Sequence, residues 1–425
     1  MGFFMKFLKV IAIILLVLTL IAGGLLLKTY YDAGEFKEIE TTYRGKCQRV
    51  SGVLSSEDIA IDQETGTAFI SSTDWRNLWS SGKKAGQGAI YGLDLNSPTS
   101  NLIHLTADFA KEFNPHGIGL WRGKDGILLF FAVNHRRDGH FVEIFEQKGG
   151  ELIHRESISG TLMHSPNDVV PTGPRTFYVT NDHGNTTEFG RMIEEYLQLA
   201  KGFVLYYNGD SFQVVAEGLA YANGINLSPD GRLLYVAATV GQEVLVYERE
   251  KETGKLTPRD TISLGTGPDN IDVDEKGDLW IGCHPKLLTF VKYSKDPEKF
   301  SPSHVIKVTV EKPGEYNVEE IFLSNGENLS GSSVAAVFED TLLIGSVFDK
   351  AFLRCRLPYS SANISPNPMD IFSEIRTICV QESNGGRIPL YCVRLIRSRS
   401  PGAGSTSCRT NWTMGEALSP LTRSE

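Results

Sequence analysis

Five stretches of the chain place side-chain oxygens or an imidazole at the start of a β-strand pattern. They are Glu57-Asp58, His116, Asn167-Asp168, Asn223 and Asp269-Asn270. Carboxylates beside amides, with no thiolate among them, make an all-oxygen donor set of the kind that hard cations take. Asx residues at strand starts also act as turn formers that bond their own backbone, and for any one stretch that reading competes. Turn chemistry does not ask for acidic and amide residues side by side at the same register in several copies. Carboxylates gathered in one channel would repel one another unless a cation sat among them. A site roomy enough for about seven oxygen donors specifies calcium rather than zinc or magnesium.

The heads can meet only if the elements behind them repeat. Hairpin patterns recur at 56–72, 115–135, 166–183, 222–239, 267–285 and 332–345, each with alternating or continuous apolar residues and a polar turn. The sixth copy carries no charged pair at its head. The heads are roughly 45 to 65 residues apart, and each hairpin is followed by a further strand pattern such as Val244-Leu245-Val246-Tyr247. That period and content predict an all-β fold, a six-bladed β-propeller with a central calcium-binding tunnel, preceded by an N-terminal hydrophobic helix. In a propeller the inner strand of every blade begins at the same face of the axis. Glu57, Asp58, His116, Asn167, Asp168, Asn223, Asp269 and Asn270 then converge there.

The bulk composition is globular, with 41% hydrophobic and 22% charged residues, and the net charge of −9 argues against nucleic acid as a partner. From Val10 to Leu27 runs an apolar stretch with Lys6 and Lys9 ahead and Lys28 behind. Its length favours an uncleaved signal anchor over a cleaved peptide, and the lysines place the N-terminus in the cytosol. The expected location is the secretory pathway, either membrane-anchored with a lumenal or extracellular propeller or secreted. The expected organisation is an anchor over 1–28, a linker or helical stem over 29–46, the propeller over 47–358 and a disordered tail over 359–425. That tail is rich in Ser, Pro, Gly and Arg.

Six cysteines occur without C-x-x-C spacing, which argues against zinc. An oxidising compartment permits a disulfide, and Cys47 with Cys355 would tie the ends of the propeller together. Sequons stand at Asn185, Asn226, Asn328, Asn363 and Asn411. One helical pattern, Thr186 to Ala200, interrupts the strands, read as a rim helix, a lid or a membrane-leaning face.

Common catalytic motifs are missing: there is no G-x-S-x-G, H-E-x-x-H or G-x-x-x-x-G-K-[ST]. Asp272-x-Asp274-x-Lys276-Gly277 imitates an EF-hand start, but Lys occupies a ligand position and the flanks are strands. A different series stands in order along the chain. It comprises S-E-D at 56–58, N-P-H-G-I at 114–118, V-N-H at 133–135, P-N-D at 166–168, T-N-D-H at 180–183, A-N-G-I-N-x-S-P-D-G at 222–231, and D-N-I-x-V-D with G-D-L-W-I-G-C-H-P at 269–285. This series, within roughly residues 40–357, resembles the paraoxonases, also called arylesterases.

The resemblance implies a six-bladed propeller with two calcium ions in its tunnel. One would be catalytic, held by Glu57, Asn167, Asn223, Asp269 and Asn270. The other would be structural, held by Asp58, Asp168 and the main-chain carbonyl of Ile118. Cys47 and Cys355 match the family's closing disulfide, and Cys283 its free cysteine. His116 with His135 is similar to the family's histidine dyad, so His116 is a candidate general base, with Glu57 and Asp269 as rivals. His183 and His284 line the same mouth, as catalytic or structural groups. The implied activity is calcium-dependent hydrolysis of carboxylic esters, lactones or aryl esters. The competing class is a non-catalytic, calcium-stabilised propeller that serves as a surface binding module. The segment Thr73 to Gln87, with Trp75 and Trp79, departs from the family pattern, which bears on specificity.

Overall fold

The structure is a computed structural model that describes residues 2–357 except 44, 82–85 and 313, together with 374–380, 391–399 and 410–414. Between residues 47 and 356 the strands form six four-stranded antiparallel sheets. Their inner strands are Ile59–Asp62, Pro115–Arg122, Pro166–Pro171, Ala222–Leu227, Gly267–Val273 and Ser332–Phe338, and they define blades 1 to 6. Each inner strand packs against the inner strands of its neighbours, closing a ring. The fold is the six-bladed β-propeller that the repeats require.

Each sheet is covered on both faces by its neighbours, so the second strands read as apolar runs rather than as alternations. Leu128 to Val133 in blade 2 are all buried. The core is divided into layers between blades: Phe131, Val179 and Leu205 pack between blades 2 and 3, and Ile70, Leu343 and Phe352 between blades 6 and 1. Burying each such side chain contributes about 1.5–3 kcal/mol.

One irregularity positions the site. In blades 2 to 6 the inner ladder slips at the same place, between Pro115 and Ile118, Pro166 and Val169, Ala222 and Ile225, Pro268 and Ile271, and Ser332 and Ala335. Each slip leaves two residues, such as Asn167-Asp168 or Asp269-Asn270, opposite one on the partner strand. Successive residues of a regular strand point to opposite faces. A bulge re-aims them, which lets both members of a pair serve the tunnel. The approach of the blades here is close: a Cβ at Gly117 would lie 2.3 Å from Asp168 Oδ1, and one at Gly224 2.5 Å from the Asp269 carbonyl oxygen.

The ring is closed by strand Cys47–Ser51, which pairs with Ala351–Arg356 as the outer strand of blade 6. Cys47 lies opposite Cys355, and the two form a disulfide across 308 residues of sequence. Cys283 is free and buried.

Among the described residues four helices accompany the strands. Helix α1, Gly2–Asp32, is apolar, exposed and long enough to cross a membrane. Just past its end, the Leu287 amide donates to the Ala33 carbonyl at 2.9 Å, and Thr289 donates to the Glu35 carboxylate through its amide and its hydroxyl. Helix α2 is Trp75–Ser81, α3 is Glu188–Tyr196 and α4 is Leu287–Lys295. Helix α3 is shorter than its apolar spacing predicts. Thr187 caps it, its Oγ1 accepting the Gly190 amide at 3.2 Å, and Gln198 ends the turn by taking a φ of 54°.

Residues 360–425 form a second unit. The expectation of a disordered tail falls mostly outside the described residues. Within them, Glu374–Val380, Tyr391–Arg399 and Thr410–Met414 form a three-stranded antiparallel sheet. Among the sequons, Asn226 sits in the inner strand of blade 4 with its side-chain amide donating to the Ile271 carbonyl at 2.9 Å, whereas Asn328 is exposed. Asn363 lies outside the described residues.

Replacing Cys47 and Cys355 with alanine releases the only covalent link across the ring among the described residues. Loss of loop-closure constraint predicts about 2–5 kcal/mol less stability, read as a lower thermal midpoint under non-reducing conditions. An unchanged midpoint would show that strand pairing alone holds blade 6 shut.

Candidate metal centre and active site

Asp58 and Asp168 are both buried. Asp58 accepts the Ile59 amide on Oδ1 at 2.8 Å and the Ile118 amide of blade 2 on Oδ2 at 2.7 Å. Asp168 repeats the pattern with Val169 at 2.7 Å and Ile225 of blade 4 at 2.8 Å. Each carboxylate thus stitches two neighbouring inner strands together. Burial pushes the Asp58 carboxyl up to about 7 against the pull of the Ile118 and Ile59 amides. Burial and then the charge of Asp58 raise Asp168 well above the ordinary range.

Above them, Glu57, Asn167, Asn223, Asp269 and Asn270 form a ring drawn from blades 1, 3, 4 and 5, each 5% exposed or less. The three amides spend their NH2 groups on the protein. Asn270 donates to Glu57 Oε1 at 2.9 Å, Asn223 to Thr239 Oγ1 at 3.0 Å, and Asn167 makes a long contact of 3.5 Å with Asp182. Their carbonyl oxygens are left over: Asn167 Oδ1, Asn223 Oδ1, Asn270 Oδ1 and Glu57 Oε2 are all buried with no donor among the described residues. A buried acceptor without a partner costs about 1–3 kcal/mol, and four lie in one ring. Burial, followed by the charges of Asp269 and Asp58, raises Glu57 well above the carboxylate range.

These residues fit a hard divalent cation. The donors are all oxygen, the carboxylates repel one another without a counter-charge, and four lone-pair acceptors await a positive partner. Among the described residues no three Asp, Glu, His or Cys side chains form a site by themselves. A cation here would need the amide oxygens of Asn167, Asn223 and Asn270 as well as the carboxylates.

Glu57, Asn167, Asn223 and Asp269 of this ring line a cavity of about 770 Å³, which His116, His135 and His183 also line. His116 Nδ1 lies 3.0 Å from His135 Nε2, and its Nε2 lies 3.6 Å from Glu57 Oε1. Burial lowers His116 to about 4, against the upward pull of Asp182 and Asp269, and burial also holds His135 well below its ordinary value, which favours the neutral form of both rings. Two other imidazoles are committed elsewhere. His183 is held between Asp182 at 2.6 Å and Glu195 at 2.9 Å; burial lowers it, but these bonds outweigh burial and leave it near 9. His284 also lines this cavity, but it is 3% exposed, donates from Nε2 to Asp269 Oδ2 at 2.8 Å, and stacks on Phe290 of α4 with ring centres 3.9 Å apart.

Sequence reasoning did not find the roof. Trp75 of α2 packs on His116 with ring centres 4.5 Å apart, and joins Tyr293 of α4, Val347 and Phe348 in an apolar cluster. Arg76 ties the two helices, donating to the Tyr293 carbonyl at 2.6 Å and lying over the Tyr293 ring. The spacing of Leu287, Phe290 and Tyr293 is the signal that could have revealed α4.

Comparison with known proteins agrees with this architecture. The family described as Arylesterase matches residues 38–357. The human serum paraoxonase/arylesterase 1 is 36% identical over 357 residues, which is 81% of this chain and 99% of that protein. The rat serum paraoxonase/arylesterase 2 is 35% identical over 332 residues, 76% and 91% of the respective chains. The human serum paraoxonase/lactonase 3 is 34% identical over 358 residues, 82% and 99%.

The raised carboxyl pKa values set a direction for stability. Without metal the folded chain holds protons on Glu57, Asp58 and Asp168 that the unfolded chain has released by about pH 5, so stability falls as pH rises towards and past 7. The thermal midpoint of chelated protein should therefore drop between about pH 5 and pH 8. Added calcium should raise it more at the higher pH. A midpoint independent of both would show that these carboxyls are not buried together.

Proposed function

This chain belongs to the arylesterase family and is an ester or lactone hydrolase; we propose that it works through calcium held at the head of the tunnel. The observation that carries the proposal is the set of four buried oxygens without a donor among the described residues, on Glu57, Asn167, Asn223 and Asn270, close to buried carboxylates. In this reading Glu57, Asn167, Asn223, Asp269 and Asn270 hold the catalytic ion. Asp58, Asp168 and the Ile118 carbonyl hold a second, structural one. Bound at the first site, calcium supplies a positive charge that polarises the substrate carbonyl and stabilises the developing oxyanion.

The chain's own groups supply the rest. His116 is the general base in this reading: its ring is neutral, it faces the cavity, and His135 orients it. The acidic rivals are ion ligands in this reading, and each has one oxygen bonded within the protein, Asp269 Oδ2 by His284 and Glu57 Oε1 by Asn270. His284 holds the Asp269 carboxylate in place. The roof of Trp75, Phe290 and Val347 gives the cavity an apolar wall that suits the hydrocarbon part of an ester or lactone.

We also propose that α1 remains as an anchor and leaves the propeller outside the cytosol. Lys6 and Lys9 precede the apolar run, and the Cys47–Cys355 disulfide suits an oxidising compartment. The end of α1 reaches the cavity mouth, where Thr29 Oγ1 donates to the Tyr196 carbonyl at 3.2 Å. Phe189, Met192 and Leu197 are exposed beside it. The mouth would then open at the membrane surface.

The purified chain should hydrolyse phenyl acetate and δ-valerolactone, lose activity in EDTA and recover it with calcium. Activity that survives EDTA would overturn the calcium mechanism. Asp269→Ala should lose calcium affinity together with turnover. His116→Gln should keep calcium binding while kcat falls by about 10²–10⁴-fold. For the anchor, the full chain should stay with membranes through an alkaline carbonate wash, and release into the supernatant would exclude it.

A further inference from the structure

The histidine pair does not end at His135. The second and third strands of blade 2, Leu128–Arg136 and Gly139–Lys148, form a tight hairpin in which His135 and His140 are direct cross-strand partners. The turn residues are Arg137 and Asp138, and Gly139 follows with a φ of 140°. This brings His140 Nδ1 to 2.9 Å from His135 Nδ1, with the rings edge-on at 80°. Three imidazoles thus run in line from the cavity floor to its wall: His116 Nδ1 to His135 Nε2, then His135 Nδ1 to His140 Nδ1.

We propose that His140 is a positioning residue that fixes the tautomer in which His116 can act as a base. The proposal rests on the reading of His116 as general base given above. A neutral imidazole carries one N–H, and the bond made by one ring nitrogen decides the state of the other. For His116 Nε2 to offer a lone pair to water, the proton must sit on Nδ1 and point at His135 Nε2. His135 must then carry its own proton on Nδ1, which needs an acceptor. His140 Nδ1 is the acceptor that geometry provides, with its own proton on Nε2.

Without it, the base-competent setting would leave His135 Nδ1–H buried and unpaired. The opposite setting, with protons on His135 Nε2 and His116 Nε2, would prevail and silence the base. When water attacks the carbonyl carbon, one of its O–H bonds breaks and the proton passes to His116 Nε2. The electron pair stays with the attacking oxygen, and the same proton later goes to the leaving oxygen. The chain of N–H bonds spreads the transient positive charge of His116 towards His140.

The test compares two variants of the full chain. His140→Leu removes the acceptor at similar volume, while His140→Gln keeps a carbonyl that can accept. The Leu variant should lose roughly ten- to a hundredfold in kcat with KM unchanged, and the Gln variant should recover most of it. The ¹⁵N shifts of the His116 ring should report Nδ1–H in the parent and Gln proteins and Nε2–H in the Leu protein. A Leu variant with parental kcat and an unmoved tautomer overturns the proposal. Equal losses in both variants with an unmoved tautomer overturn it too, because that is the result of packing alone. Should His116→Gln keep parental kcat, the base assignment fails instead, and the tautomer measurement still decides the role of His140.

Discussion

Oxygen lone pairs buried at the axis with nothing to donate to them are the constraint on which this molecule turns. Glu57, Asn167, Asn223 and Asn270 come from four different blades, and each leaves a buried oxygen with no donor among the described residues. Beneath them Asp58 and Asp168 are buried too, and the charge of Asp58 adds to burial in raising the proton affinity of Asp168. Such a cluster is costly in an apolar scaffold, since buried charge and unpaired acceptors both oppose folding. A bound cation would convert the same groups from a liability into an attachment that joins the blades.

The scaffold can bear this load because its inner strands are tied at several levels. Asp58 and Asp168 bind amides of the following blade as well as their own. Glycines at 117 and 224 let backbones approach to distances that no side chain would permit. Blade 6 is sealed by the pairing of the chain ends and by the disulfide. Above the tunnel, α2 and α4 close a layer of Trp75, Phe290, Tyr293 and Phe348 over the histidines. Burial under that layer keeps His116 and His135 neutral, the state a base needs.

Much of this was legible in local patterns. Six strand pairs with polar heads announce a propeller, and the heads name the residues that meet at the axis. Other features were not legible because they depend on partners far along the chain. His284 lines the cavity, yet its bond to Asp269 on the adjacent strand and its stacking on Phe290 are set only by the folded blade. Helices α2 and α4 carry short apolar spacings that strand-rich surroundings disguise. His140 stands five residues after His135 with no motif around it, and only the hairpin turn sets the two rings side by side.

By itself, the sequence determined the repeat, the oxygen-rich heads, the apolar N-terminal stretch and the family, because periodicity and residue chemistry are properties of short segments. The tertiary structure alone decided which oxygens are spent and which are left over. That depends on where a bulge turns each side chain and on which amide of another blade lies within reach. Asp58 and Glu57 are neighbours in the chain, yet Asp58 is satisfied by two backbone amides while Glu57 keeps one oxygen bare. The difference is one of direction, and direction is fixed only when the ring closes.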